Sequence, residues 1–323
     1  MDPVHSTACF KSVFRLILAL GHLLGESLCV HAKRNQFRRC LGIAAAQFFL
    51  AGSLFSVFAQ SEQPSGLKIA GTIFPLSDVA KQVAGEQSEV RTLLPAGANP
   101  HTFELSPAAV KELQGVRIVF AIGHGFDDWV HASVDHVEGL ETFKVDQGIV
   151  LIREAREDPH YWLSIRNVKI MASNMAEVLS RLDPAARDRY QTNLSRYLMK
   201  LDETDGAIRK LLEDSRGRKV VTFHDGWRYF ARDYRLDVLA TVEPSVGSEP
   251  TPKRLAHLTD LIAKHKIRVL FSESAVPQQV AGSIARDLNL KLYQLDPFGD
   301  GTRSFLDLMM ANAQVVSEAL RDG

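Results

Sequence analysis

The stretch DPAARDRYQTNLSRYLMKLDETDGAIRKLLEDSRG, residues 183–217, decides the architecture. Asp183 followed by Pro184 is a helix-start signal, because Asp caps free N–H groups and Pro suits the first helical turn. Beyond it, Tyr190, Leu194, Tyr197, Leu198, Leu201, Ile208, Leu211 and Leu212 recur mostly three and four residues apart. That is the period of a single apolar helix face. The pattern predicts one amphipathic helix of about 30 residues ending near Gly217, roughly 45 Å long at 1.5 Å per residue. It stands between two stretches of a different character, and reads as a rigid connector packing along both.

Outward from this helix, both flanks alternate short β-type runs with helical ones. On the N-terminal side the predicted strands are Lys68–Thr72, Glu89–Leu94 and Val116–Ile122, with helices over Leu76–Val83, Pro107–Leu113 and Asn167–Leu182. On the C-terminal side the predicted strands are Lys219–Phe223, Leu236–Val242, Arg268–Ser272 and Lys291–Leu295. The helices there are Gly226–Tyr234, Lys253–His265, Gln278–Leu288 and Phe305–Leu320, and Glu243–Pro252 reads as a loop. Such alternation argues for parallel βαβ units. The expected fold is therefore α/β: two α/β lobes with parallel sheets joined by one long rigid helix. The divisions are 1–59 for an N-terminal extension and signal peptide, 60–183 for the first lobe, 184–216 for the connecting helix and 217–323 for the second lobe.

The 323 residues, 46% of them hydrophobic, suffice for two packed domains. Formal net charge is zero, but residues 1–59 hold six Lys/Arg and two acids. The remaining 32 basic and 36 acidic residues leave the body at −4, which offers no footprint for nucleic acid. Lys33, Arg34, Arg38 and Arg39 precede the uncharged stretch Cys40–Ala59, which ends in Val57-Phe58-Ala59 before Gln60. This is the build of a secretory signal. A membrane anchor is the rival reading, weakened by Gly42, Gln47, Gly52, Ser53 and Ser56. Residues 1–32 look unlike any part of a bacterial signal. All three cysteines (Cys9, Cys29, Cys40) precede the cleavage site, so the mature chain has neither thiol nor disulfide and a thiolate metal site is excluded. Cys40 opens the apolar run rather than closing it, a poor place for lipid attachment. The expectation is a soluble periplasmic protein.

Four short motifs carry chemistry: Asn-Pro-His101-Thr-Phe-Glu, Asp-Pro-His160-Tyr-Trp-Leu, Thr-Phe-His224-Asp-Gly-Trp and Leu-Asp296-Pro-Phe-Gly. His101, His224 and Asp296 each follow a strand-like run within a few residues. In an open α/β sheet, the carboxyl ends of strands are where ligands bind. Three imidazoles and one carboxylate complete a tetrahedral shell for a divalent metal, zinc above all. A lone histidine is ordinarily a hydrogen-bonded or solvated residue. Two of these three follow a proline that fixes the approaching backbone, and the shared motif setting favours ligation. Asp296 before Pro297 has a turn-forming role as its alternative, and Glu273 at the end of a strand is the rival carboxylate. His124 reads as a solvated loop histidine or as a group beside the cleft. His131, His136, His257 and His265 read as solvated, and Trp129, Trp162 and Trp227 as packing residues. Phe103 and Tyr161 are placed to dry the site. Asp225 reads as a hydrogen-bond partner for an imidazole.

These motifs, in this order, resemble the zinc/manganese substrate-binding proteins of bacterial ABC importers. The resemblance runs from about Leu67 to Leu320 and takes in Thr72-Ile73-Phe74-Pro75-Leu76, Glu249-Pro250-Thr251-Pro252 and Phe271-Ser272-Glu273. It implies one metal in the cleft between lobes, with His101 and His160 from the first lobe and His224 and Asp296 from the second. It also implies delivery to an inner-membrane ABC permease, no chemistry on the cargo and little opening and closing; the chain is expected to be a monomer. The chain departs from the family pattern at Ser164-Ile165, where Asp-Pro is usual, at His124, and in lacking a histidine-rich loop. Zinc is the expected cargo, since imidazole suits it and manganese prefers oxygen-rich shells. A manganese-specific binder is the alternative. A secreted zinc metallohydrolase is the rival class, but four protein ligands leave no open position for water, and no His-Glu-x-x-His motif occurs. No catalytic residues are assigned.

Overall fold

A computed structural model describes residues 66–322, apart from 135, 154–155, 244–250 and 275. The predicted signal peptide lies outside the described residues. Among those residues, no helix is long and apolar enough to cross a membrane.

Among the described residues, eight strands form two four-stranded, wholly parallel sheets. The first contains β1 (Lys68–Gly71), β2 (Glu89–Thr92), β3 (Ile118–Ala121) and β4 (Glu141–Lys144), in the order β2-β1-β3-β4. The second contains β5 (Lys219–His224), β6 (Asp237–Glu243), β7 (Val269–Glu273) and β8 (Lys291–Leu295), in the order β6-β5-β7-β8. The helices are α1 (Phe74–Ala84), α2 (Pro107–Lys111), α3 (Trp129–Val134), α4 (Ile165–Leu182), α5 (Arg187–Leu211), α6 (Arg228–Tyr234), α7 (Pro252–His265), α8 (Gln278–Asp287) and α9 (Phe305–Asp322).

The period of two along each central strand sorts side chains between two cores. Ile69, Ile118 and Phe120 face a central cluster, whereas Ala70, Val119 and Ala121 face a smaller one with Val130 and Val134 of α3. In the second sheet Val220, Val269 and Phe271 join the same central cluster, and Val221, Phe223 and Leu270 face a third with Leu258, Ile262 and Ala285. The central cluster is thus shared by both sheets, filled by Trp162, Tyr190, Phe305 and the apolar faces of α1, α4, α5 and α9.

The connecting helix is shorter than the sequence suggests. Pro184–Ala186 forms a separate 3₁₀ turn, α5 has 25 residues, and Glu213–Ser215 is a second 3₁₀ turn. At 1.5 Å per residue the α-helical part is about 37 Å long. Asp183 does not cap it; its carboxylate instead accepts from the Tyr190 hydroxyl at 2.9 Å. Strand β4 and helix α3 are absent from the sequence reading. Glu141-Thr-Phe-Lys144 is four residues with charges at both ends and exposed ends, so it carries no apolar alternation. It becomes a strand by docking on β3 in register Ile118↔Glu141 to Ala121↔Lys144. The departure at Ser164 has a local answer, because its hydroxyl accepts from Asn167 N at 3.2 Å and caps α4.

Candidate metal centre

Parallel sheets present their loops at the carboxyl ends of the strands, and three histidines arrive there by different routes. His101 lies in the loop after β2. Its backbone N–H donates to Asn99 Oδ1 at 3.0 Å, and the preceding Pro100 carbonyl accepts from Trp129 Nε1 at 3.0 Å. His224 is the last residue of β5. His160 precedes a 3₁₀ turn, Tyr161–Leu163, which is pinned from both lobes: the Tyr161 hydroxyl donates to Ile122 O at 2.8 Å and Trp162 Nε1 to Pro297 O at 2.9 Å. Tyr229 of the second lobe adds two bonds, donating to Asp158 O at 2.8 Å and accepting from Ile152 N at 2.9 Å.

The three rings converge. One ring nitrogen from each of His101, His160 and His224 lies within 4.8 Å of the others. The Nε2 atoms of His160 and His224 are 3.3 Å apart. Two nitrogens about 2.0–2.1 Å from a tetrahedral zinc ion stand about 3.4 Å apart, so this pair is already spaced for one ion. His160 is turned by Asp158, whose Oδ1 accepts from His160 N at 2.9 Å and lies 2.8 Å from Nδ1. A proton on Nδ1 makes that bond and leaves the Nε2 lone pair facing His224. Phe126 stands edge-on to His101 and His160, with ring centroids 5.1 and 5.8 Å away.

Electrostatics favour neutral rings. Burial, with the neighbouring His160 and His101, pushes His224 down to about 3. Desolvation and then His160 hold His101 down to about 4, although the residue as a whole is exposed. Neutral imidazole is the ligating form.

The sequence-proposed carboxylates take different places. Asp296 is absent from the converging donor group among the described residues. Its Oδ1 accepts from Phe298 N at 3.1 Å and Gly299 N at 2.9 Å, an Asx turn, while Asn312 brackets its backbone with bonds of 2.8 and 2.7 Å. The bonds at Oδ1 leave Oδ2 without a partner among the described residues. Glu273 is buried at the end of β7, where Oε1 accepts from Trp227 Nε1 at 2.9 Å. Burial pushes its carboxyl up to about 7, against the pull of His160 and the Trp227 hydrogen bond. Gly226 explains the tight grouping. A Cβ there would stand 3.3 Å from Glu273 Oε1, 3.3 Å from His160 Cδ2 and 3.4 Å from His224 Cδ2.

Several supporting residues differ from the sequence reading. His124 is not a solvated loop residue: its Nδ1 lies 2.7 Å from Glu157 Oε2 and its Nε2 2.7 Å from Asp146 Oδ2. It occupies the left-handed region at φ 57°. Asp225 pairs with Arg228 rather than with an imidazole, and His224 Nδ1 is buried without a partner among the described residues. Phe103 packs on Trp129 rather than on the histidines, and Phe126 takes the drying role. His131 is only half exposed, with a buried Nε2 lacking a partner among the described residues. Asp127 sits in no motif that marks it in the sequence. It is fully buried and accepts from Thr72 Oγ1 at 2.6 Å, Ile122 N at 2.7 Å and Gly123 N at 2.7 Å. It therefore ties the ends of β1 and β3 beneath the loop carrying Phe126.

Comparison with known proteins identifies the fold. FimA of Streptococcus parasanguinis, a metal ABC transporter substrate-binding lipoprotein, is 27% identical over 306 residues, 86% of this chain and 98% of that protein. AdcA of Streptococcus pneumoniae, a zinc-binding lipoprotein, is 28% identical over 257 residues, 74% of this chain and 51% of that protein. The crystal structure of ZnuA superposes with a TM-score of 0.73 at 28% identity, covering 79% of this chain and 99% of that one. FpvC from Pseudomonas aeruginosa in complex with Mn2+ gives 0.72 at 27%, covering 80% and 99%. Family and fold are those of the substrate-binding proteins of metal ABC importers, not of enzymes. The chain belongs to the family described as zinc-uptake complex component A, periplasmic, which matches residues 69–319.

Proposed function

We propose that the protein captures one zinc ion in the periplasm, with His101, His160, His224 and Asp296 as ligands, and hands it as a monomer to an ABC permease. The observation carrying this reading is the convergence of three imidazole nitrogens within 4.8 Å. A nitrogen-rich set suits zinc better than manganese, and the free Oδ2 of Asp296 can supply the carboxylate by a rotamer change. Export uses the segment Lys33–Gln60 as a cleaved signal, which accounts for a mature chain without thiols.

Manganese is the second reading. PsaA of Streptococcus pneumoniae, a manganese ABC transporter substrate-binding lipoprotein, is 26% identical over 305 residues. Glu273 supports it from this chain's side, as a second carboxylate beside the cluster would make the shell richer in oxygen. Competition titration of the metal-free protein with both ions, paired with growth of a deletion strain starved of each, tests the proposal. A strain that fails only under manganese starvation overturns the zinc reading. Replacing His101, His160 or His224 by Ala is expected to weaken zinc binding at least about 100-fold, and replacing His257 to leave it unchanged.

A further inference from the structure

The two ends of the second sheet are chemically unlike. His224 closes β5 at the cleft, and Lys219 opens it at the other end. Beside Lys219 lies a half-open cavity of about 380 Å³ whose rim carries Arg218, Lys219, Lys264, His265, Lys266 and Arg268. Among the described residues, no carboxylate lines it. Lys219 is paired with Asp237. Arg218, Lys264, Lys266 and Arg268 are exposed and make no ion pair among the described residues.

A solvated charged rim is the plain alternative, and it accounts for part of this. Lys264 lies in the last turn of α7, where a cation is favoured by the helix dipole. That does not explain Arg218 and Arg268, which come from the starts of two strands and join α7 around one cavity. The accumulation also runs against the body of the chain, whose 32 basic and 36 acidic residues beyond position 59 make it net acidic. Like charges gathered this way repel one another and favour an external anion.

The backbone narrows what that anion is. The N–H groups of Gly217, Arg218, Lys266 and Ile267 already donate to the carbonyls of Arg235, Ser215, Ala263 and Ile262. No ring of free amides remains to cradle a single phosphate, so recognition rests on long, exposed side chains that read charge density rather than shape. We propose that this cationic foot of the second lobe seats on the phosphate groups of an anionic phospholipid surface. Because the foot is at the end of β5 remote from His224, a chain held this way keeps its cleft open to solvent for metal capture. That last consequence rests on the function proposed above, whereas the binding itself does not.

Co-sedimentation of the exported protein with vesicles tests it. The protein is expected to sediment with vesicles of phosphatidylcholine and phosphatidylglycerol in equal parts, not with phosphatidylcholine alone, and to be released by added salt. Removing four charges at the foot (Arg218→Gln, Lys264→Gln, Lys266→Gln and Arg268→Gln together) should lower partitioning at least about 100-fold. Zinc titration of the same variant should be unaltered, which shows that it is folded. Removing four charges elsewhere (Lys111→Gln, Arg187→Gln, Arg196→Gln and Lys253→Gln) should leave partitioning within a few-fold. Equal binding to uncharged vesicles, or equal loss in the two variants, overturns the proposal. So does displacement from the vesicles by inorganic phosphate at matched ionic strength, which would mark a site for a soluble anion.

Discussion

A single oxygen of Asp158 holds His160 twice, once through the backbone N–H and once through Nδ1. The Asp-Pro-His sequence thereby builds its own ring-orienting device within three residues. Asp158→Asn preserves the shape but replaces the charged acceptor. It is expected to weaken zinc binding by about 10–100-fold, with a melting temperature of the metal-free protein close to the parent's. Isothermal titration against thermal melting separates the two effects. An affinity unchanged by the substitution would show that His160 needs no such partner.

Protons should compete with the metal less than three ordinary imidazoles would allow. An unfolded chain protonates His101 and His224 as pH falls through about 6.5, whereas the folded protein does so only near 4 and 3. The unfolded chain therefore binds more protons in that window, and metal-free protein loses stability as pH falls from about 6.5 toward 4. At pH 5.5, three ordinary imidazoles would release nearly three protons on binding metal. Here the imidazoles should release at most about one. A further proton is expected only if Glu273, which is pushed up to about 7, ionises on binding, and it should vanish in Glu273→Gln. Titration in buffers of different ionisation enthalpy counts these protons.

His124 joins Asp146, just beyond β4, to Glu157, three residues before His160. A hydrogen bond to a charged group contributes about 1.5–3 kcal/mol, and both carboxylates are partly open to solvent, so the two contacts together fall short of twice that and His124→Ala should cost about 2–4 kcal/mol of stability. The melting temperature should fall by several degrees while one zinc ion still binds. Loss of metal stoichiometry in this variant would promote His124 from support to ligand.

Gly226→Ala tests the packing around the rings. The glycine's φ lies outside the left-handed region, so only contact matters, and the new methyl would press on Glu273 Oε1 and His160 Cδ2 at 3.3 Å each. We expect about a 10-fold loss of zinc affinity, with little change in the melting temperature of the metal-free protein. Unchanged affinity would mean that the rings give way freely.

What the sequence reveals here depends on how local the cause is. The two-lobed α/β plan is written in apolar runs and in the spacing from Tyr190 to Leu212. The three histidines stand out because each sits in a short, self-contained motif. Strand β4 is invisible because its pairing with β3, not its composition, makes it a strand. The same holds for His124, whose two carboxylate partners lie 22 and 33 residues away, and for Asp127, which looks like any loop aspartate until β1 and β3 close over it. The helix start at Asp183-Pro184 illustrates the opposite error. The residues match a capping signal, yet Tyr190 takes the carboxylate and the chain makes a tighter turn first.

The central apolar cluster extends from Ile69 and Phe120 in the first sheet to Val220 and Phe271 in the second without interruption. The lobes are therefore not two bodies tethered by a rod but one cooperative unit. Melting either sheet alone would expose the inner face of the other to water. A ligand captured in the cleft consequently raises the unfolding free energy of the whole molecule, by the logarithm of its concentration over its dissociation constant. A single calorimetric transition that moves upward intact is the thermal signature of that shared interior.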